Sequence, residues 1–361
     1  ASVGEIMSVI PLIKNYEKNK SVNKILITSS TLSSSKIIKK FKFKKTIHQF
    51  YPIDHFFLTN KFLNYWKPSL AIFIESEIWP YMFKNLKDKK IPLILLNARI
   101  TKKTFNRWSK ISFFSKLIFG MITVAYPQNL ETKYFLKKIK TKKINRIGNL
   151  KFAENPEENF TIKNKKLKSE LNKNKIWVAS STHKNEEIFC ANAHKELKKK
   201  NKNLITIIIP RHVHRANEIA LEMKKINLNV AYHSSKIQTL KNIDIYIVDT
   251  FGETKLFHKI SSTVFLGGSI IKRGGQNPLE AARLGSKILH GPNTDNFKDV
   301  YKHLKLLNIS KKINTPLQLA SSIVFKKNKN SGKKIKKIGQ KILNKTINEL
   351  DNLINNEFKK T

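Results

Sequence analysis

Cysteine is almost missing from this chain: Cys190 stands alone among 361 residues. A single thiol excludes an internal disulfide and fits a reducing compartment. Acidic residues are scarce as well, 25 Asp and Glu against 70 Lys and Arg, for a formal charge of +45. That balance invites a nucleic-acid reading. The excess is nearly all lysine, however, dispersed along the chain among Asn and Ile. No zinc-ligand spacing, RNA-binding aromatic signature or basic heptad region accompanies it, so nucleic acid is set aside as a partner. Long apolar runs are lacking too: the longest, residues 113 to 126, is interrupted by Lys116 and too short to span a bilayer. An anionic membrane surface would exploit the same charge, at about 1 kcal/mol per well-placed lysine. The chain opens at Ala1 and enters a motif at once, so residues are expected upstream, a membrane anchor among them.

Glycine is sparse and unevenly spent. Of twelve, seven lie at 252, 267, 268, 274, 275, 285 and 291. The stretch from Ser262 to Asn296 reads as a buried strand, a glycine-rich turn, a helix opening at Asn277 and Pro278, a stop at Gly285 and a second strand. Glycine lets backbone approach a ligand closely, so the crowding predicts that a phosphate or sugar is handled here. Asn277 suits the N-cap and Pro278 the first helical position. Glu280 then falls in the first turn, where it satisfies backbone amides, accepts from a ribose diol, or serves only the helix dipole.

The length favours two domains, and 40% hydrophobic residues suffice for two cores. Apolar runs at 25–29, 70–75, 92–98 and 122–126 alternate with amphipathic stretches, which predicts βαβ units and a parallel sheet. A second series of strands falls at 176–180, 204–209, 245–249, 263–266 and 287–290. The expected division is a first domain over 1–153, a polar linker over 154–175, a second domain over 176–326 and a lysine-rich terminal helix over 327–361, packing back across a domain. Ligands in such sheets sit outside the carboxyl ends of the strands, here in a cleft between the domains.

The strand ends carry the chemistry. Glu5, in Ser2-Val3-Gly4-Glu5, is a carboxylate at a helix start and a candidate general base. Glu75 and Glu77 follow an apolar strand; alternation puts both on one side, and burying acids there costs desolvation unless they are paired or functional. Lys151, in Gly148-Asn149-Leu150-Lys151-Phe152, reads as a cation offsetting charge or as one more surface lysine. In the second half, Ser180-Ser181-Thr182-His183 with Glu186 and Glu187 approaches a capping box. Pro210-Arg211-His212 offers a guanidinium suited to bidentate phosphate contact. His212 and His214 lack a further clustered ligand, so no metal site is expected. Asp249 to Glu253 ends a strand and opens a helix, and Lys272 and Arg273 precede Gly274 and Gly275. The first domain thus supplies carboxylates and the second supplies anion-binding groups, an arrangement for an acceptor on one side and an activated phosphate donor on the other.

Taken in order, SVGE (2–5), ESEIWP (75–80), NAR (97–99), GNLKF (148–152), STH (181–183), PRH (210–212), DTFGE (249–253), GGSIIKRGGQNPLE (267–280) and GPNTDNF (291–297) resemble the bacterial Kdo transferases over nearly the whole chain. That family attaches 3-deoxy-D-manno-octulosonic acid (Kdo) to the lipid A precursor during lipopolysaccharide biosynthesis. The resemblance implies a GT-B glycosyltransferase of two Rossmann-like domains facing a cleft, an inverting reaction with CMP-Kdo as co-substrate, no cofactor and no metal, at the cytoplasmic face of the inner membrane. By that likeness Glu5 activates the acceptor hydroxyl, while Glu77 (or Glu75) and Lys151 support the transition state. Pro210, Arg211, Phe251, Gly252, Glu253, Asn277, Pro278, Leu279 and Glu280 bind the CMP portion, with Ser181, Gly274 and Gly275 as further donor contacts. Two positions depart from the family pattern: Gln276 stands where a histidine is usual, and Asn293 is a similar change. Two other readings compete: a GT-B enzyme with a different nucleotide sugar, and a non-catalytic basic protein that binds RNA or acidic lipid.

Overall fold

The computed structural model describes residues 3–154, 164–235 and 239–358. Ser2 of the first motif and residues 155–163 of the expected linker lie outside the described residues. The chain forms two compact units, one of residues 1–155 with 337–361 and the other of 156–336.

Unit 1 holds β1 (Ile25–Ser29) and β2 (Thr46–Phe50), paired in parallel, and a second parallel ladder of β3 (Ala71–Ile74), β4 (Leu93–Ala98) and β5 (Val124–Pro127). The single sheet expected here is therefore two hydrogen-bonded ladders. One apolar core ties them together: Ile27 of β1, Ile94 and Leu96 of β4 and Val124 of β5 pack with Ile6, Ile10 and Ile13 of the helix Val3–Lys18. β4 is buried along its whole length, as a central strand covered on both faces must be.

Unit 2 contains β6 (Lys175–Thr182), β7 (Leu204–Pro210), β8 (Val230–Tyr232), β9 (Ile245–Ile247), β10 (Thr263–Leu266), β11 (Lys287–His290) and β12 (Ser310–Lys312). All are parallel, in the order β12-β11-β10-β6-β7-β9-β8. Parallel order places every carboxyl end on one edge, which is where the sequence motifs fall. The stretch expected to be linker contains the helix Lys165–Asn172, whose Leu167 and Leu171, one turn apart, are buried.

The terminal helix Lys329–Phe358 begins in unit 2 and enters unit 1 from residue 337. In unit 1 it is held by polar contacts: Tyr16 donates to Asp351 at 2.8 Å and Tyr126 to Glu349 at 3.1 Å. It also seats against the turn Leu150–Ala153. A Cβ on Gly339 would lie 2.0 Å from the Phe152 carbonyl oxygen, so only glycine permits this approach. No helix among the described residues is long and apolar enough to cross a membrane.

Candidate active site

In unit 1 the carboxyl end of β3 does not continue as a strand. Glu75 turns into the left-handed region at φ 55°, and Asn97, near the end of the neighbouring β4, does the same at φ 51°. Strand alternation therefore fails past Ile74, and Glu75 and Glu77 part company. Glu75 is 3% exposed and meets the Lys151 ammonium at 2.6 Å. Glu77 is half-buried and accepts from the Trp79 indole at 2.7 Å. Asn97 links the pair: its side-chain amide donates to Glu75 at 3.4 Å, and its oxygen accepts from the Leu150 backbone at 3.1 Å. Asn149 accepts from the Lys151 amide at 3.0 Å. Three motifs distant in sequence thus converge on one ion pair, with two non-glycine residues held in a conformation that costs about 1–3 kcal/mol each. Burial makes the pair all-or-none, because removing either partner strands a charge.

Glu5 lies half-buried in the first turn of Val3–Lys18, with its carbonyl accepting from the Ser8 hydroxyl at 2.7 Å. Gly4 is already inside that helix rather than in a turn before it. Asp54, which sequence reasoning passed over, accepts from the amides of Tyr81 at 3.2 Å and Met82 at 2.9 Å and so anchors the start of Pro80–Asp88.

In unit 2 the glycine-rich turn after β10 folds as expected, but its amides are spoken for. The fully buried Glu186 carboxylate accepts from Gly268 at 2.7 Å, Ser269 at 3.0 Å, Ile270 at 2.9 Å and His183 at 3.1 Å. Phosphate handling by those amides is thus corrected: the chain's own carboxylate fills the nest. Gly275 donates its amide to the Gly268 carbonyl at 2.8 Å, and Gly274, at φ 81°, packs against Asn296, so both shape the loop. Asn293 likewise knits the loop, donating to the carbonyls of Ser269 and Ile270. Glu187 is buried against Arg215 at 2.9 Å, with burial raising its carboxyl above the ordinary range.

Around this frame the expected donor residues fall at the same edge. Ser181, left-handed at φ 55°, is the next-to-last residue of β6; Pro210 ends β7, and the exposed Arg211 donates its amide to the Thr182 carbonyl at 2.9 Å. Burial, opposed by Glu186 and reinforced by Arg273, His212 and Arg211, holds the His183 imidazole below its usual pKa. Two guanidiniums, Arg211 and Arg273, thus lie near this imidazole together with the Glu186 carboxylate. Phe251 is 82% exposed beside Gly252, and Glu253 meets His233 at 3.0 Å and the Thr250 hydroxyl. Asn277 makes its capping bond to the Leu279 amide at 3.1 Å, while the helix Leu279–Arg283 begins one residue later than expected, after Pro278. Glu280 bonds His258 at 3.1 Å; burial raises its carboxyl, yet the imidazole beside it leaves it below the ordinary value. His258 also reaches Ser180 at 3.0 Å, so it ties that helix to β6.

Two α/β units with their polar residues gathered at strand carboxyl ends define a GT-B glycosyltransferase fold. A solved glycosyltransferase of Rickettsia africae shares it at TM-score 0.55 over 99% of this chain and 95% of that one, with 13% identity. The family model described as 3-deoxy-D-manno-octulosonic-acid transferase matches residues 1–154. The 3-deoxy-D-manno-octulosonic acid transferase of Rickettsia prowazekii is 35% identical over 93% of this chain and 72% of its own length. That of Rickettsia felis is 37% identical over 84% of this chain. The match spans 65% of the R. felis protein's length. The chain belongs to the Kdo transferase family, and with it to the glycosyltransferases.

Proposed function

We propose that the protein transfers Kdo from CMP-Kdo to the phosphorylated lipid A precursor, with inversion and without a metal or other cofactor, at the cytoplasmic face of the inner membrane. The observation that carries this reading is the buried Glu75–Lys151 pair, assembled from three separate motifs at the end of β3 and β4. A buried pair is a poor way to gain stability, so its assembly from strained backbone speaks for a functional post. In this reading Glu75 positions Lys151, whose ammonium offsets the charge of the reacting ketose acid. The more accessible Glu77 supports the developing oxocarbenium centre. Glu5 takes the proton of the acceptor hydroxyl as that oxygen attacks the anomeric carbon, and the bond to CMP breaks in the same step.

On unit 2, the guanidiniums of Arg211 and Arg273 near His183 stabilise the departing CMP phosphate. Pro210, Phe251, Gly252, Glu253, Asn277, Leu279 and Glu280 bind the nucleotide, while Ser181, Gly274 and Gly275 hold the loops that present it. The excess of lysine steers the chain to an anionic membrane face carrying its acceptor.

The test is CMP release from CMP-Kdo in the presence of a lipid A precursor, comparing the wild-type chain with Glu5→Gln at equal folding and donor binding. Acceptor-dependent release is expected to fall at least ~100-fold in the variant. Release at wild-type rate would remove Glu5 from the role of base, and no release from the folded wild-type protein would overturn the donor.

A further inference from the structure

Unit 1 carries a groove of about 520 Å³ that runs along β2 from Thr46 to Phe50, between that strand, the helix Leu32–Lys40 and the turn that joins them. Its lining is of two kinds. Ile38, Phe43 and Phe50 give it an apolar wall, with Phe50 47% exposed. Lys39 and Lys42 stand over that wall, and no carboxylate lines the groove. At its polar end lies His48, whose ring nitrogens meet the hydroxyls of Ser29 at 2.8 Å and Ser35 at 3.4 Å. Burial and the neighbouring Lys39 hold this imidazole below its usual pKa, which shows that Lys39 is felt inside the groove. A neutral ligand would leave two cations unanswered, and an inorganic anion would leave the exposed Phe50 and the partly exposed Phe43 wet.

We propose that this groove binds an anionic amphiphile, a phosphorylated acyl lipid, with its phosphate on Lys39 and Lys42 and an acyl chain along Ile38, Phe43 and Phe50. Charge complementarity selects the anion, and the exposed face of Phe43 and Phe50 over the Ile38 floor selects the chain. The floor residue Ile38 belongs to the same core as Ile6, Val9 and Ile10 of the helix that bears Glu5, so the groove and the candidate base are built on one rigid support. If the transfer proposed above is right, the ligand is the acceptor, and this inference rests on that reading only for the ligand's name.

The probe is n-dodecyl phosphate below its micellar concentration, titrated into the folded chain while the His48 ring signals are followed by NMR. Saturating shifts at His48 are expected. Inorganic phosphate and n-dodecyl maltoside, which lack the chain and the charge respectively, should each bind at least about tenfold more weakly. Lys39→Gln with Lys42→Gln should weaken dodecyl phosphate at least about tenfold. The control pair Lys40→Gln with Lys44→Gln, exposed lysines that do not line the groove, should stay within about twofold. Equal losses in both pairs would reduce the effect to diffuse charge, and an unmoved His48 would overturn the site. These signals need no turnover, so they stand or fall apart from the transferase reading. A groove variant that loses the probe but keeps its KM for the lipid acceptor would separate this ligand from the acceptor.

Discussion

Both units bury carboxylates past the carboxyl end of an apolar strand, and they spend them differently. In unit 2, Glu186 holds four backbone amides of its own loops and Glu187 holds Arg215, so both acids are consumed in building the frame. In unit 1, Glu75 holds a lysine, Lys151, that arrives from a turn 76 residues further along the chain. One arrangement makes a loop rigid; the other sets a cation in place. A buried acid after an apolar strand is therefore not in itself a catalytic sign, and what it pairs with decides the matter.

The sharpest way to break that comparison is Glu186→Ala. Four amides lose their acceptor, and each unsatisfied buried donor costs about 1–3 kcal/mol, so a loss of at least about 4 kcal/mol is expected. Urea unfolding should show it, with fast amide exchange at Gly268 to Ile270 and unit 1 unaffected. A loss below about 1 kcal/mol would mean that the nest does not depend on its carboxylate.

Next comes the unit 1 pair. Lys151→Met strands Glu75 and should cost about 3–5 kcal/mol, while Glu75→Leu combined with Lys151→Met should recover most of it. Turnover should stay absent in the double variant, because the cation is gone. A stable double variant with near wild-type CMP release would make this pair as structural as its counterpart in unit 2.

The sequence discloses these two sites unequally, for physical reasons. Strands such as β4 and β7 are continuous apolar runs buried on both faces, and they are legible as such. β2, β8 and β12 are not: β2 is largely exposed, β8 is only three residues long, and β12 is Ser-Lys-Lys at the edge of its sheet. The strand-end residues of unit 2 are legible because glycine, proline and arginine mark turns and candidate anion sites locally. The purpose of Glu186 was not, since three of its four amide partners lie more than 80 residues away. Asn97 was legible only as part of a motif, because its two bonds join segments that meet by folding alone. Alternation misled at Glu75 and Glu77 because it presumes a strand, and a left-handed Glu75 ends it.

A smaller effect tests whether the Lys151 turn is placed from behind. Gly339→Ala puts a methyl group where the Phe152 carbonyl sits, and overpacking of this kind costs about 1–3 kcal/mol. Because that carbonyl follows Lys151 by one residue, turnover should drop while CMP affinity, which the proposed mechanism assigns to unit 2, stays level. Loss of stability with unchanged turnover would show that the helix supports the fold but not the site.

Phe251→Ala is expected to do the reverse, and with the least cost to the fold. An aromatic ring left 82% exposed at a strand end contributes little to the core, so stability should move by no more than about 0.5 kcal/mol. If the ring stacks on the cytosine base, its loss should weaken CMP about fivefold or more, given about 1–3 kcal/mol for an aromatic stacked on a base. Calorimetric titration of CMP into the two proteins reads the difference directly. An unchanged affinity would leave nucleotide recognition to Arg211 and the helix carrying Glu280, and would make unit 2 a site that reads phosphate and ribose but not the base.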